Sequence, residues 1–454
     1  KINNWNNEYD HIEQMIYAGG FPSKEDKDLM AEFPEADVII CGSGEMRFNE
    51  LLKSHFDMDV IKNIPQTTYR TAEGTIEHTP GLPTEDLNNI PSIYKTGALD
   101  LDDGRTHTVF IETFRGCPFS CGYCTWGNDV ARAVHKFDMD QLLDDIEIIY
   151  NHPKVETVVF TDACLFYTRK RAKMIIDKIA SCSRETPTVL TLDTHVFDKE
   201  MGEYLNKIKL HQNNINFGLQ STNPEALKHL RRPGGGLKEV YFEKLKILRE
   251  VCPDKGLSFD IILGLPGDNL GAFRQTIEDA IKMGATKLHF CHLLLLPGTP
   301  FWEKSDEYGF IYEDKIPYVV VGNKDFSESD MNSAYQYMLW VISVQYFGPI
   351  WDLLREFTNE SSYEKYNFTS ALDHYMGIVR QTIDPIENIT YPDTIELNND
   401  LRREVMNFFV EPENAIICYK AALKTAEELS VDNNCARLKK AIAHYETLLS
   451  DGDG

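Results

Sequence analysis

The sequence predicts an α/β protein with a run of six parallel βα units at its centre, part of another α/β unit before them and a helical region after them. Three observations carry this. Between residues 108 and 296, short apolar runs rich in β-branched and aromatic residues alternate with segments of helical periodicity. Near the start, "MIYAGGF" and "ADVIICGSGE" read as strands that run into glycines. From 302 onward, apolar residues recur at helical spacing. Six βα units form either an open twisted sheet or a partial barrel, and in both the ligand sits at the carboxyl ends of the strands.

In chain order, "MIYAGGF" (15–21), a helical "EDKDLMAEF" and "ADVIICGSGE" (36–45) read as the last two strands of an α/β unit whose earlier strands are not in this chain. The chain begins at Lys1 with neither an initiator methionine nor a signal-peptide pattern, and is expected to be a fragment or a processed chain. Residues 59–105 contain "HTPGLPTEDLNNIP" and read as a linker or an irregular pack-on segment. "TVFIETF" (108–114) opens the βα run as a buried strand. The helix "FDMDQLLDDIEIIY" (137–150) follows, with Asp138 or Asp140 near its start. Strands are then expected at 155–161, 188–193, 215–220, 257–264 and 287–296, and helices at 169–180, 198–209, 237–251 and 270–284, the last capped by Gly284. Helices at 327–347, 361–383 and 414–430 complete the chain. Tyr335, Tyr337, Trp340, Tyr346, Phe347 and Trp351 read as an aromatic core in preference to a substrate wall. The expected divisions are 1–58, 59–105, 106–301 and 302–454.

Composition narrows the partners. A net charge of −25 repels phosphate backbones, so nucleic acid is a poor partner and anionic membranes are disfavoured. No run of about 18 apolar residues is present to cross a membrane. Seven cysteines are scattered and three are clustered, which fits a reducing cytoplasm and a metal site.

The cluster is "RGCPFSCGYC" (115–124), with Cys117, Cys121 and Cys124 spaced Cys-x3-Cys-x2-Cys just past the first strand of the run. A closed zinc site needs a fourth ligand, and neither His107 nor His135 stands at a usual zinc spacing. A disulfide would leave one thiol over. An iron–sulfur cluster on three thiolates, with one iron open to a small molecule, is the favoured reading; zinc and purely structural roles are the alternatives.

Cys-x3-Cys-x-aromatic-Cys at this place in a six-fold βα run resembles the signature of the radical S-adenosylmethionine (SAM) superfamily, over about residues 108–300. The resemblance implies a partial (βα)6 radical SAM barrel with a 4Fe-4S cluster on Cys117, Cys121 and Cys124. Its open iron would hold the amino and carboxylate groups of SAM, and Tyr123 would pack near the adenine. It further implies SAM contacts from Asp162 in "TDACLFY", which replaces the Gly-Gly-Glu of many relatives. Others would come from Gln220, Ser221 and Arg232 in "FGLQSTNPEALKHLRRP", from Asp260 in "DIILGLPGD" and from Leu294 in "LLLLPGTPFW". Asp193 and His195 end the third strand, and one of His289, Cys291 and His292 is expected to face the barrel interior.

Residues 15–52 are similar to the C-terminal half of the Rossmann-like cobalamin-binding domain that precedes many radical SAM domains. The similarity assigns Gly19, Gly20, Gly42, Ser43, Gly44 and Glu45 to the corrinoid's nucleotide tail, where glycine allows close backbone approach. The Asp-x-His-x-x-Gly motif of cobalamin mutases is absent. The methylthiotransferase relatives differ: their N-terminal domain carries three cluster cysteines, where this region has only Cys41. Together these likenesses imply a cobalamin-dependent radical SAM enzyme, a methyltransferase of an unactivated carbon in a small metabolite or peptide, served by an electron donor such as flavodoxin or ferredoxin. The alternatives are radical rearrangement or oxidation without methyl transfer, and a non-catalytic iron–sulfur electron carrier.

Overall fold

The structure, a computed structural model, describes residues 16–18, 30, 34, 36–81, 86–126, 133–231, 238–314, 316–358, 366–392, 395–430 and 435–452. The chain forms two compact units, Lys1–Val189 with Pro297–Glu303, and Leu190–Leu296 with Lys304–Gly454.

In the first unit, β1 (Ile16–Ala18) pairs parallel with β2 (Val38–Ile40), and β3 (Thr67–Arg70) and β4 (Ile76–Thr79) extend the sheet antiparallel. Alternation along β2 covers both faces. Val38 and Ile40 pack with Leu51, Ile61, Ile64 and Tyr69, while Ile39 and Cys41 pack with Met30 and Ala36. The β3–β4 hairpin lies inside 59–105, where composition reads as a linker. Its strands are only four residues each, and the prolines around them hide the β-branched "TTY". Residues 92–95 also pack rather than link: Ser92 Oγ donates to Asp145 Oδ1 (2.5 Å) and Tyr94 Oη to the carbonyl of Phe110 (2.5 Å).

The first parallel sheet follows. β5 (His107–Ile111) leads through the short antiparallel pair β6 (Phe114–Arg115) and β7 (His135–Lys136). β8 (Val155–Phe160) pairs parallel with β5, and β9 (Thr188–Val189) with β8. The helix Met139–Asn151 buries Leu142, Ile146 and Ile149 at helical spacing, and Asp138 caps it by accepting from the amides of Asp140 and Gln141.

In the second unit, β10 (Thr191–Leu192), β11 (Asn214–Gln220), β12 (Gly256–Leu263) and β13 (Lys287–His292) are parallel and in that order. The strand expected at 188–193 is therefore broken at Leu190: β9 pairs with β8, and β10 with β11. Side-chain alternation divides the second sheet. Ile215, Phe217, Leu219, Leu257, Phe259, Ile261, Leu263, Leu288 and Phe290 form one buried apolar face. Asn214, Asn216, Ser258, Asp260, His289 and Cys291 alternate with them on the other. The helices Leu270–Lys282 and Glu328–Tyr346 pack on this sheet.

Past β13, Leu293 donates to the carbonyl of Leu263 (2.9 Å) and Leu294 bridges Val319. A small antiparallel pair, β14 (Ile311–Tyr312) and β15 (Val320–Gly322), interrupts the helical region. The helices Phe368–Val379 and Pro412–Glu428 fall within or near the expected spans. The helices Gly348–Arg355, Ile395–Val410 and Cys435–Gly452 add to those expected. Tyr335, Tyr337, Trp340, Phe347 and Trp351 are buried, as an aromatic core requires; Tyr346 is exposed.

The glycines of "GLPGD" after β12 serve the chain's own packing. Gly264 has φ +100 and Gly267 φ +80. A Cβ on Gly267 would lie 2.9 Å from the backbone carbon of Glu225, which cannot yield; on Gly264 it would lie 2.9 Å from the flexible end of Met331. Left-handed backbone alone costs a substituted residue about 1–2 kcal/mol. Gly267→Ala should therefore lower the urea unfolding midpoint more than Gly264→Ala. Equal losses would remove the backbone contact as the cause.

Candidate active site

The thiol loop begins where β5 ends. The chain turns through Phe114–Arg115, and Gly116 adopts φ +96. Cys117 is buried, Cys121 and Cys124 are half-buried, and none is in a disulfide. Cys124 N donates to the carbonyl of Cys121 (3.2 Å), closing a turn around the half-buried Tyr123. The buried Phe301 donates its amide to the carbonyl of Gly122 (2.9 Å), so "PGTPFW" anchors the loop from outside. Three uncrosslinked thiols within eight residues, two of them reachable, suit an iron–sulfur donor set. Among the described residues no three His, Cys, Asp or Glu side chains are already gathered as a metal site. The thiols would be drawn together by what they bind.

Two braces hold the segment before Cys117. The first is Asp162, just past β8. Its Oδ1 accepts from Thr113 N (3.0 Å), Thr113 Oγ1 (2.9 Å) and Phe114 N (3.0 Å). The side chain is buried and Oδ2 has no partner among the described residues. The family resemblance assigns Asp162 to the SAM ammonium; in the structure its Oδ1 satisfies the two amides and the hydroxyl that the strand-to-loop turn leaves. Burial pushes its carboxyl up to about 6, against the three hydrogen bonds that lower it. Arg171 adds bonds to the carbonyls of Thr113 (3.2 Å) and Phe137 (2.8 Å).

The second brace is Arg115. Its Nε donates to Glu112 Oε2 (2.9 Å), its Nη1 to Glu45 Oε2 (2.9 Å) and Ser43 Oγ (3.2 Å), and its Nη2 to Glu45 Oε1. Burial raises the Glu112 carboxyl; burial also raises that of Glu45, but there the hydrogen bond and charge of Arg115 together with the backbone amides of Glu45 and Gly44 outweigh it and hold the carboxyl low. Both Glu45 oxygens face the guanidinium. Neither Arg115 nor Glu112 stands out in sequence, although they are the charged residues that flank "TF" between strand and thiols.

Ser43 and Glu45 belong to the loop after β2. Their side chains, assigned by sequence to a corrinoid tail, are engaged by Arg115. The loop's backbone keeps the features that assignment needs. Gly42 has φ +74, and a Cβ on Gly44 would meet nothing within 4 Å, so the chain's own packing does not demand a glycine there. Such an open cradle fits the approach of a bulky external group. The buried Arg47 fixes the loop through Nη1 bonds to the carbonyls of Cys41 (3.0 Å) and Ser43 (2.6 Å). Gly19 and Gly20 lie outside the described residues, as does Arg232.

In the second unit, the polar face of β11–β13 gathers Asn216 Nδ2 to Asp260 Oδ2 (3.1 Å) and places His289 Nδ1 3.7 Å from Asp260 Oδ1. Burial lowers the His289 pKa, with Asp260 opposing. His292 points the other way, with Nδ1 on Tyr391 Oη (2.7 Å) and Nε2 on Asn398 Oδ1 (3.0 Å). Burial pushes its pKa down to about 3, so it is a neutral core histidine. Cys291 shares the polar face with His289. Gln220 ends β11 in a left-handed conformation, φ +69, which is unusual for a residue with a side chain. Ser221 is spent inside the fold: its hydroxyl accepts from Asn223 N (3.0 Å) and meets Asp268 Oδ2 (3.4 Å) and Thr276 Oγ1 (3.3 Å). Leu294 is half-buried in its bridge to Val319. Asp193 caps the turn at His195, accepting its amide (2.8 Å).

Asp162 makes stability depend on pH. Its native carboxyl titrates near 6, against about 4 in an unfolded chain. The folded state keeps a proton that the unfolded state releases, so stability falls as pH rises from about 4 to about 6, and the loss is complete above that. Wild type should therefore lose stability relative to Asp162→Asn across this window, read as urea midpoints. A difference that does not vary with pH would mean the carboxyl titrates normally.

Residues 111–280 match the family model of the radical SAM superfamily. The 2-(S-pantetheinyl)-carbapenam-3-carboxylate methyltransferase of Streptantibioticus cattleyicolor is 29% identical over 333 residues, covering 68% of this chain and 47% of that protein. The cobalamin-dependent radical SAM methyltransferase TokK of Streptomyces tokunonensis is 27% identical over 323 residues, covering 67% and 46%. The chain thus spans about half the length of these curated relatives. Among solved structures, the cobalamin-dependent SAM radical enzyme OxsB aligns over 98% of this chain and 73% of its own, with TM-score 0.56 and 14% identity. The radical SAM methyltransferase TsrM of Kitasatospora setae aligns over 65% and 59%, with TM-score 0.51 and 17% identity. At those identities the structures speak to the fold, and the fold and sequence findings agree: the chain carries a radical SAM domain over residues 111–280 and is similar to cobalamin-dependent radical SAM methyltransferases.

Proposed function

We propose that this chain is part of a cobalamin-dependent radical SAM methyltransferase acting on an unactivated carbon of a small metabolite or peptide. The observation that carries the reading is the pairing of two loops in one unit: three thiols past β5 and an open glycine cradle past β2, held together by Arg115. When bound, a 4Fe-4S cluster, SAM and cobalamin together supply a hydrogen-abstracting 5′-deoxyadenosyl group and a transferable methyl group.

The chain's residues bind and orient. Cys117, Cys121 and Cys124 would hold iron as thiolates, and Tyr123 would pack near the adenine of SAM. Asp162 and Arg171 keep the loop in place. The family resemblance assigns Gln220 and Asp260 to SAM, while Gly42 and Gly44 would let a corrinoid tail come close. His289 and Cys291 share the polar face of the second sheet, and one of them is the candidate for substrate contact. An electron donor such as flavodoxin or ferredoxin supplies the reducing electron. The net charge of −25 disfavours nucleic acid. No described helix is long and apolar enough to cross a membrane. The seven scattered thiols support a reducing cytoplasm as the setting.

Anaerobically reconstituted protein should hold about four irons per site, and the combined Cys117→Ala, Cys121→Ala and Cys124→Ala variant none. Iron retained by that variant would place the ligands elsewhere. On the true substrate, S-adenosylhomocysteine and 5′-deoxyadenosine should form in roughly equal amounts with the methylated product. 5′-Deoxyadenosine alone, with no mass gain on substrate, would replace methyl transfer with rearrangement or oxidation. Iron without any SAM turnover would leave an electron carrier.

A further inference from the structure

One side chain ties the glycine loop to the thiol loop. Arg115 stands two residues before Cys117 and spends its donors on Glu112, Glu45 and Ser43. The guanidinium takes both oxygens of Glu45, a two-point contact that fixes angle as well as distance, which a lysine ammonium cannot do. Glu45 is 41% exposed, and ion pairs at such sites add little to stability. The value of this contact therefore lies in orientation. Arg47 holds the carbonyls of the same glycine loop, so Ser43 and Glu45 move with their backbone. On the other side, Asp162 holds Thr113 and Phe114, which leaves Arg115 and Gly116 as the link between that brace and the first thiol.

We propose that Arg115 is a positioning residue that couples the two loops: a group seated against Gly42–Glu45 shifts Ser43 and Glu45, and through Arg115 shifts the approach to Cys117. By linkage, iron bound at Cys117 acts back on the glycine loop by the same factor. The identity of the seated group as a corrinoid rests on the proposed function; the bridge does not.

The test is a cycle of binding measurements on the full chain. Affinity for hydroxocobalamin is measured with the iron–sulfur cluster reconstituted and without it. Wild type should differ between the two states by about five-fold or more. Arg115→Met should bring the ratio close to one while still binding both groups, and Arg115→Lys should fall between. A ratio of one in wild type, or an unchanged ratio in Arg115→Met, overturns the proposal. If wild type binds no hydroxocobalamin in either state, the cobalamin reading fails, and the bridge is judged by hydrogen exchange in the cluster-free protein. Amides of 42–47 and 113–117 should then lose protection together, by about ten-fold, in Arg115→Met; loss in one loop alone overturns the bridge. Should Arg115→Met not fold, Glu45→Gln, which leaves the Arg115–Glu112 pair intact, takes its place in both measurements.

Discussion

A buried carboxylate accepting three hydrogen bonds decides where the thiol loop starts. Without Asp162, the amides of Thr113 and Phe114 and the Thr113 hydroxyl would be left without their acceptor beneath the end of β5. Unsatisfied buried donors of that kind cost about 1–3 kcal/mol each. The turn into β6, the position of Arg115 and the path of Gly116 into Cys117 all follow from that anchor. Its cost is a carboxyl raised by burial to about 6.

The same economy of polar groups appears in the second sheet. Every other residue of β11–β13 enters an apolar layer, so the polar residues between them collect on one face without any further instruction. Asn216, Asp260 and His289 are neighbours there because the parallel register sets Asp260 beside His289. One residue along the strand reverses the role: Cys291 joins the polar face, while His292 enters the helical core as a neutral hydrogen-bonding side chain.

Around these features the chain uses glycine in two different ways. At Gly267 the surrounding backbone leaves no room for a side chain, so the glycine is a packing requirement. At Gly44, the N-cap of the helix Glu45–Lys53, the space is open, so no steric demand of the described residues requires a glycine. That contrast separates a glycine that packing requires from one that packing leaves free, and motif matching alone does not distinguish them.

Much was legible in sequence because it rests on local periodicity. The βα rhythm from 108 to 296, the Asp138 cap, the Gly284 stop and the spacing of Cys117, Cys121 and Cys124 each depend on residues a few positions apart. The short hairpin at 67–79 escaped because four-residue strands carry too little pattern against a proline-rich background. The break at Leu190 escaped because a change of pairing partner leaves no mark on one strand's composition. The sequence by itself determined the kinds of groups available: three thiols on one loop, glycines after β2 and polar residues at strand ends. Only the tertiary structure decided which were already engaged. Asp162, Ser221, Ser43 and Glu45 all read as ligand contacts, yet each is bonded to residues 47 to 72 positions away, and hydrogen bonds over such separations are fixed by packing rather than by spacing.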